Sequence, residues 1–220
     1  MSDTTTLAGL HDFLLGEILA RCARPGLRAL DLGAGTGALA VRLRQLGWEV
    51  IAADRNASAF EADLPFRCLD LNDPEFSREL GEESYGLVTA VEVIEHVESP
   101  VGLLRNAGRL LMPDGVLVIT TPNVENVPAR LRFLTRGKIR MMDEAGEPTH
   151  ISPIFLDLLV RQYLPLAGLK MIEHHHFPPK SFANSRRRHH WLLKGLAQFL
   201  PGECLYGDIH IFVMQRRSKD

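Results

Sequence analysis

"ALDLGAGTGALA", residues 29 to 40, is the stretch on which the fold turns. Its apolar opening, ending at Asp31 and Leu32, reads as a buried strand, and the run from 36 to 46 reads as a helix. Three glycines in five residues, Gly33, Gly35 and Gly37, join the two. Lacking Cβ atoms, they let the backbone approach a ligand that any side chain would push away. A strand, a glycine turn and a helix in this order is how open α/β sheets hold a nucleotide-like ligand, beyond the carboxyl ends of the strands.

Outward from that turn the same alternation continues. Upstream, Leu7, Leu10, Leu14, Ile18 and Cys22 recur at steps of three and four, which predicts an amphipathic helix within 1–24 that covers the sheet edge or the cleft. Downstream, "RALDL" at 28–32, "EVIAAD" at 49–54, "FRCLDL" at 66–71, "YGLVTAVEV" at 85–93 and "GVLVITTP" at 115–122 read as strands, with helices at 36–46 and 100–111. Strands alternating with helices imply parallel pairing through right-handed crossovers, with helices on both faces. Ser99 is placed as a helix cap with Pro100 at the first helical position, and "MPDG" at 112–115 as a turn feeding the next strand. Ser152 and Pro153 repeat the Ser-Pro start before another helix. "LKMIEHH" at 169–175 and "GDIHIFVMQ" at 207–215 read as two further strands. The expectation is one α/β domain over 1–220, with insertions at 123–150 and 178–207 that shape the acceptor site.

Composition narrows the classes. Net charge is −2, with 25 basic against 27 acidic residues, so no overall field draws in a nucleic-acid backbone and no nucleic-acid partner is expected. Cys22, Cys68 and Cys204 are odd in number and form no C-x-x-C, which argues against a disulfide framework and fits a reducing, cytoplasmic compartment. The opening residues have no basic leader, and His11, Asp12 and Glu17 interrupt their apolar run, so a secretory signal is not expected.

The spelling G-A-G-T-G-A also satisfies the dinucleotide fingerprint, so the glycines alone leave an NAD-linked oxidoreductase open. Asp31 discriminates, because a carboxylate two residues before Gly33 suits an ammonium and a sulfonium and would repel a pyrophosphate. Asp54, ending the second strand, is placed to accept from both hydroxyls of a ribose, and Asp70 to accept from an exocyclic adenine amine. Three acids at the ends of three successive strands describe a site for a cationic adenosine compound.

With those residues the chain resembles the class I S-adenosylmethionine-dependent methyltransferases, in particular their ubiquinone-biosynthesis-like, small-molecule branch. The resembling stretches are "ALDLGAGTG" at 29–37, "AAD" at 52–54, "LDL" at 69–71, "VEVIEHV" at 91–97 and "LLMPDGVLVITTPN" at 110–123, with "HISPIFLDLLVRQYLPLAGLKMIE" at 150–173 behind them. The resemblance implies a Rossmann-like, mostly parallel seven-stranded sheet closed by a C-terminal antiparallel hairpin, and S-adenosyl-L-methionine as cofactor with S-adenosyl-L-homocysteine as product. It implies that Gly33, Ala34 and Gly35 meet the methionine part while Asp31 holds its amino group. Asp54 would bind the ribose, Arg55 would lie over the adenine, Asp70 and Leu71 would frame its edge, and Val91 would meet the cofactor through its backbone. A methyltransferase fold that only binds is the remaining alternative.

A sulfonium is an activated donor, so catalysis consists largely of holding an acceptor in line with it, away from water. A base is needed when the acceptor is a hydroxyl, and His150, His96, Glu92 and Glu95 are the candidates. His150 is favoured because its loop arrives over the cleft. Arg130, Arg132, Arg136, Lys138 and Arg140 in the first insertion are either receivers for a substrate carboxylate or phosphate, or one face of a solvated helix. "HHH" at 174–176 is expected to hold no metal, since on a strand only His174 and His176 share a face. In 185–202, Trp191, Leu192, Leu193, Leu196, Phe199 and Leu200 form an apolar helical face beside Arg186, Arg187, Arg188 and Lys194. Such a helix either contacts an anionic membrane surface peripherally or packs on the protein's own sheet.

Overall fold

The computed structural model describes residues 6–143, 148–183 and 187–217, with 187–190 described by their backbone alone. Residues 1–5 of the leading segment, 144–147 of the first insertion and 185–186 of the basic helix therefore lie outside the described residues. Seven strands form one sheet: β1 Arg28–Leu32, β2 Glu49–Asp54, β3 Phe66–Cys68, β4 Tyr85–Val91, β5 Leu111–Pro122, β6 Leu169–Phe177 and β7 Ile209–Arg216. Their order is β3-β2-β1-β4-β5-β7-β6. The first five pair in parallel, and β7 is antiparallel to both β5 and β6. The order reverses between β1 and β4, so the crevice opens just beyond Leu32 and Val91.

β4 is buried at every position from Tyr85 to Val91, as a central parallel strand covered on both faces must be. Alternate residues feed two separate cores. Leu30, Leu32, Val88 and Ala90 meet Leu103, Leu104 and Ala107 of the helix Pro100–Leu110. Ala29, Leu87 and Val91 share the opposite core with Leu10, Leu14, Ile18, Leu39 and Leu43. The expected leading helix is present over 10–22, built from Leu10–Phe13, a π-helical stretch Leu14–Leu19 and Ala20–Cys22. The widened π-helical turn lets Leu14, Leu15, Ile18 and Leu19 all reach the core.

Ser99 caps its helix as expected, its Oγ accepting from the Gly102 N–H at 3.0 Å. "MPDG" is carried as an outward bulge inside β5: Tyr85 pairs with Leu111 and Leu87 already pairs with Val116, with Asp114 left-handed at φ 61°. Ser152 departs from expectation. The helix begins later, at Leu156, and Ser152 instead donates its hydroxyl to the Val97 carbonyl at 2.8 Å. Its own N–H and that of Ile151 go to the Glu95 carbonyl, so this segment is bound to the 94–97 turn and stays extended. The helix start is served from elsewhere, by Glu125 Oε2 accepting from the Leu156 N–H at 2.7 Å.

The helices of the two insertions pack on each other. The helices Val127–Arg136 and Arg187–Ala197 close a small third core of Val127, Phe182, Ala197 and Leu205, joined by Leu131, Leu193, Leu196 and Leu200. Trp191, Leu192 and Phe199, expected on the same apolar face, are exposed.

Candidate active site

At the carboxyl end of β1 the chain turns on backbone hydrogen bonds: Gly33 and Ala34 N–H both donate to the Ala53 carbonyl, at 2.8 and 3.1 Å. Asp54 fixes the next peptide. Its Oδ2 accepts from the Gly35 N–H and its Oδ1 from the Asn56 N–H, each at 2.9 Å. The three glycines, expected alike to make room for a ligand, divide by reason. A Cβ on Gly33 would stand 2.4 Å from Val93 Cγ2, and one on Gly37 2.6 Å from the Ala62 Cβ, so the chain's own packing demands both. Gly35, at φ 53°, meets nothing within 4 Å and is the one that faces open space.

Asp31 is buried beside this turn, with Thr89 Oγ1–H donating to its Oδ1 at 2.7 Å. Burial pushes its pKa up to about 7; the Thr89 hydrogen bond works against the shift and the Asp54 charge adds to it. It borders a small pocket with Ala34, Gly35 and Val91. That pocket shares Gly33 and Glu92 with a cavity of about 610 Å³, lined on one side by Asp54, Arg55, Asp70 and Leu71 and on the other by Val93, His96 and His150. The structure therefore brings the expected cofactor residues, His96, His150 and Glu92 to two adjoining pockets, while the buried Glu95 lines neither. Asp70 is exposed there, with Oδ1 accepting from the Asn72 N–H at 2.9 Å.

The far wall comes from the turn after β4. Glu92 has a left-handed backbone, φ 56°, costly for a side chain of its length and a feature that collects at functional sites. It is held by Thr120, whose Oγ1 accepts from the Glu92 N–H at 3.0 Å and donates to Glu92 Oε1 at 3.1 Å. Burial pushes the Glu92 pKa up to about 7 against that hydrogen bond, and burial followed by the Glu92 charge holds Glu95 well above the usual carboxylate range. His96 Nδ1 lies 3.2 Å from the Thr149 carbonyl and His150 Nδ1 2.9 Å from the Met141 carbonyl. A carbonyl only accepts, so Nδ1 is the donor in each ring. The rings meet edge to face with centroids 4.7 Å apart. Glu95, His96 and His150 each place a ligand-type atom within 4.8 Å of the other two, an oxygen–nitrogen set suited to a divalent cation.

Residues 7–183, well over half of the chain and all of this crevice but Thr6, match the family described as a methyltransferase domain. The chain belongs to that methyltransferase-domain family. Membership removes the NAD-linked oxidoreductase that the glycine spelling left open. Among curated relatives, a ubiquinone biosynthesis O-methyltransferase of Xanthomonas campestris is 30% identical over 127 residues, 53% of this chain and 52% of that protein. One from Ruegeria pomeroyi is 35% identical over 133 residues, 54% and 50%. The chain thus spans about half the length of the curated relatives it matches. A SAM-dependent methyltransferase from Archaeoglobus fulgidus superposes with a TM-score of 0.66 over 94% of this chain and 92% of that one, at 17% identity, a likeness of fold.

Within this methyltransferase domain the sequence reading missed Thr89, Glu125 and the carbonyls of Met141 and Thr149. Thr89 is the residue in register with Asp31 across the β1–β4 pair, a pairing that no local pattern announces. The basic residues of the first insertion are bound to protein more than to open space. Arg130 donates to the carbonyls of Glu125 and Pro201 at 2.7 and 2.6 Å, Arg132 pairs with Asp143, and Arg140 pairs with the buried Asp208 at 2.7 Å. Arg130 and Arg140 tie the first insertion to the segment before β7, and Arg132 braces the first insertion internally.

Proposed function

We propose that this chain transfers the methyl group of S-adenosyl-L-methionine to a hydroxyl oxygen of a small, largely apolar acceptor. The observation that carries the reading is that one crevice joins Asp31, Asp54 and the open Gly35 to two imidazoles, His96 and His150, each anchored through Nδ1 on a backbone carbonyl. The residues fit the cofactor: acids stand where its ammonium and ribose would lie, and of the three turn glycines Gly35 alone leaves open space. Bound, it supplies an activated methyl group on a sulfonium. The chain's part is to orient both partners and exclude water, and His150 Nε2 would take the hydroxyl proton. A second reading rests on the same wall: Glu95, His96 and His150 holding a divalent cation that would lower the pKa of the acceptor hydroxyl.

Asp31 makes the cofactor end testable by pH. In the free protein its pKa lies at about 7, and a bound ammonium favours the carboxylate, so binding expels a proton below that pH. Affinity for S-adenosyl-L-homocysteine is expected to rise from pH 5.5 towards about 7 and level there, below the range in which the ligand's own amine loses its proton at about pH 7.7–8.0. Calorimetry on Asp31→Asn should give weaker binding that no longer changes over that interval. A pH slope that survives in the variant would place the ammonium elsewhere.

The apolar character of the acceptor is drawn from the insertions. A second cavity of about 510 Å³ is lined by Val124, Ala129, Phe133, Ile139 and Phe155 beside Glu125 and Arg130. Phe133, Leu134, Trp191, Leu192 and Phe199 are exposed on the two packed helices and their flank, with Arg136 and Lys194 exposed among them. No helix among the described residues is long and apolar enough to cross a membrane. A peripheral contact is the arrangement this surface suits, and the acceptor would be a lipid-like precursor taken from it. The protein is expected to sediment with anionic vesicles at low salt, with a blue shift of Trp191 emission; Trp48 is buried and contributes no change. Absence of sedimentation at low salt would point the search to soluble acceptors.

A further inference from the structure

Away from the crevice, the β6–β7 hairpin and one loop gather four ligand-type side chains. Alternation along β6 puts His174 and His176 on one face, with ring centroids 4.4 Å apart, while His175 turns to the other and meets Glu173 at 2.8 Å. Across the hairpin His176 is in register with His210, which is fully buried and 5.1–5.2 Å, centroid to centroid, from the other two rings. Cys204 reaches the same place, buried, on the loop before β7, with its carbonyl accepting from Asn123 Nδ2 at 3.0 Å. Gly207 permits this approach: at φ 73°, a Cβ there would stand 2.7 Å from the His176 Cβ. One ligand atom from each of His174, His176, Cys204 and His210 lies within 4.8 Å of all the others.

The cluster is incompletely satisfied by protein alone. His174 Nε2 and His210 Nδ1 share a single hydrogen bond at 3.0 Å. His176 Nε2 and His210 Nε2 are closed off from solvent and have no hydrogen-bond partner among the described residues. Glu125 Oε2 stands 3.9 Å from the latter, beyond hydrogen-bonding reach. Buried polar atoms are nearly always paired, so two in one cluster call for a partner.

We propose that His174, His176, His210 and Cys204 form a structural site for a thiolate-binding divalent ion of the zinc class, independent of the reaction in the crevice. Three imidazoles and a thiolate suit such an ion and disfavour magnesium or calcium, which take oxygen ligands. Zinc bonds of about 2.0–2.1 Å to nitrogen and 2.3 Å to sulfur set tetrahedral edges of about 3.3–3.7 Å. Atoms now up to 4.8 Å apart have about an ångström to close, a matter of side-chain rotation. On binding, the Cys204 thiol becomes a metal thiolate and releases one proton to solvent; the imidazoles stay neutral and no electron moves. Four protein ligands leave no open position, so the ion would tie β6, β7 and the second insertion together. The strand alone offered only two ligands; β7 and its preceding loop supply the others.

The test uses the full chain, stripped with chelator and titrated with Co²⁺. Tetrahedral visible bands and a near-ultraviolet thiolate-to-cobalt charge-transfer band are expected to saturate at one ion, to vanish when Zn²⁺ is added, and Zn²⁺ should raise Tm. Cys204→Ser should lose the charge-transfer band and weaken Co²⁺ binding at least about tenfold, since even the loss of a group supporting a ligand costs that much. His174→Ala, at a partly buried position and checked for folding by circular dichroism, should weaken it likewise. The double variant His96→Ala/His150→Ala should keep the band, which separates this site from the crevice. Cobalt binding without the charge-transfer band, a band that survives Cys204→Ser, or a Tm that Zn²⁺ leaves unmoved would overturn the proposal.

Discussion

His150→Ala is expected to lower turnover by about 10²–10⁴-fold while leaving affinity for S-adenosyl-L-homocysteine unchanged. The imidazole is held by its Nδ1–H on the Met141 carbonyl at 2.9 Å, which fixes the tautomer and leaves Nε2 able to accept a proton in the main cavity. The acceptor for the assay is obtained by fractionating a metabolite extract on transfer of labelled methyl groups by the unaltered protein. The two readings of the Glu95, His96 and His150 wall then part on chelation. If His150 acts as the base, turnover survives chelator. If the three hold a cation, chelator abolishes turnover, added divalent metal restores it, and His96→Ala is about as damaging as His150→Ala. Full turnover in His150→Ala would remove this residue from the chemistry altogether.

Asp54→Ala is expected to weaken S-adenosyl-L-homocysteine binding by roughly ten- to hundredfold, the size of charge-assisted hydrogen bonds worth about 1.5–3 kcal/mol. In the free protein both of its oxygens already accept backbone N–H groups, from Gly35 and Asn56. The loss therefore acts twice, on the ribose and on the order of the glycine turn that must face it. Asp54→Asn separates the two contributions, because an amide keeps one acceptor for the turn and lacks the second. It should recover part of the affinity. Folding should survive in both variants, since Asp54 lies at the mouth of the crevice and the cores on either side of β2 do not include it. Calorimetry giving an unchanged Kd for Asp54→Ala would mean that the ribose is bound by other groups.

The parts of this protein that were legible in the sequence are those governed by local periodicity. Strands β1, β2, β4 and β5 announce themselves as apolar runs because each is buried on both faces, and the leading helix by its three- and four-residue steps. Asp31, Asp54 and Asp70 could be placed at the crevice because strand ends in such a sheet point to one side, and "GAGTG" marks where the chain must turn. What could not be read are the roles that depend on which distant atoms meet. Two of the three turn glycines are required by Val93, Ala62 and Phe60 whether or not a ligand is there, and nothing local to 33–37 says so. Ser152 carries every mark of a helix cap, yet hydrogen bonds to Glu95 and Val97 outweigh that preference and pass the capping to Glu125. "HHH" on its own strand could offer only two ligands to an ion. Pairing in register with His210 and the approach of Cys204 past Gly207 make it four, because side chains some thirty residues apart become neighbours only when the antiparallel hairpin closes.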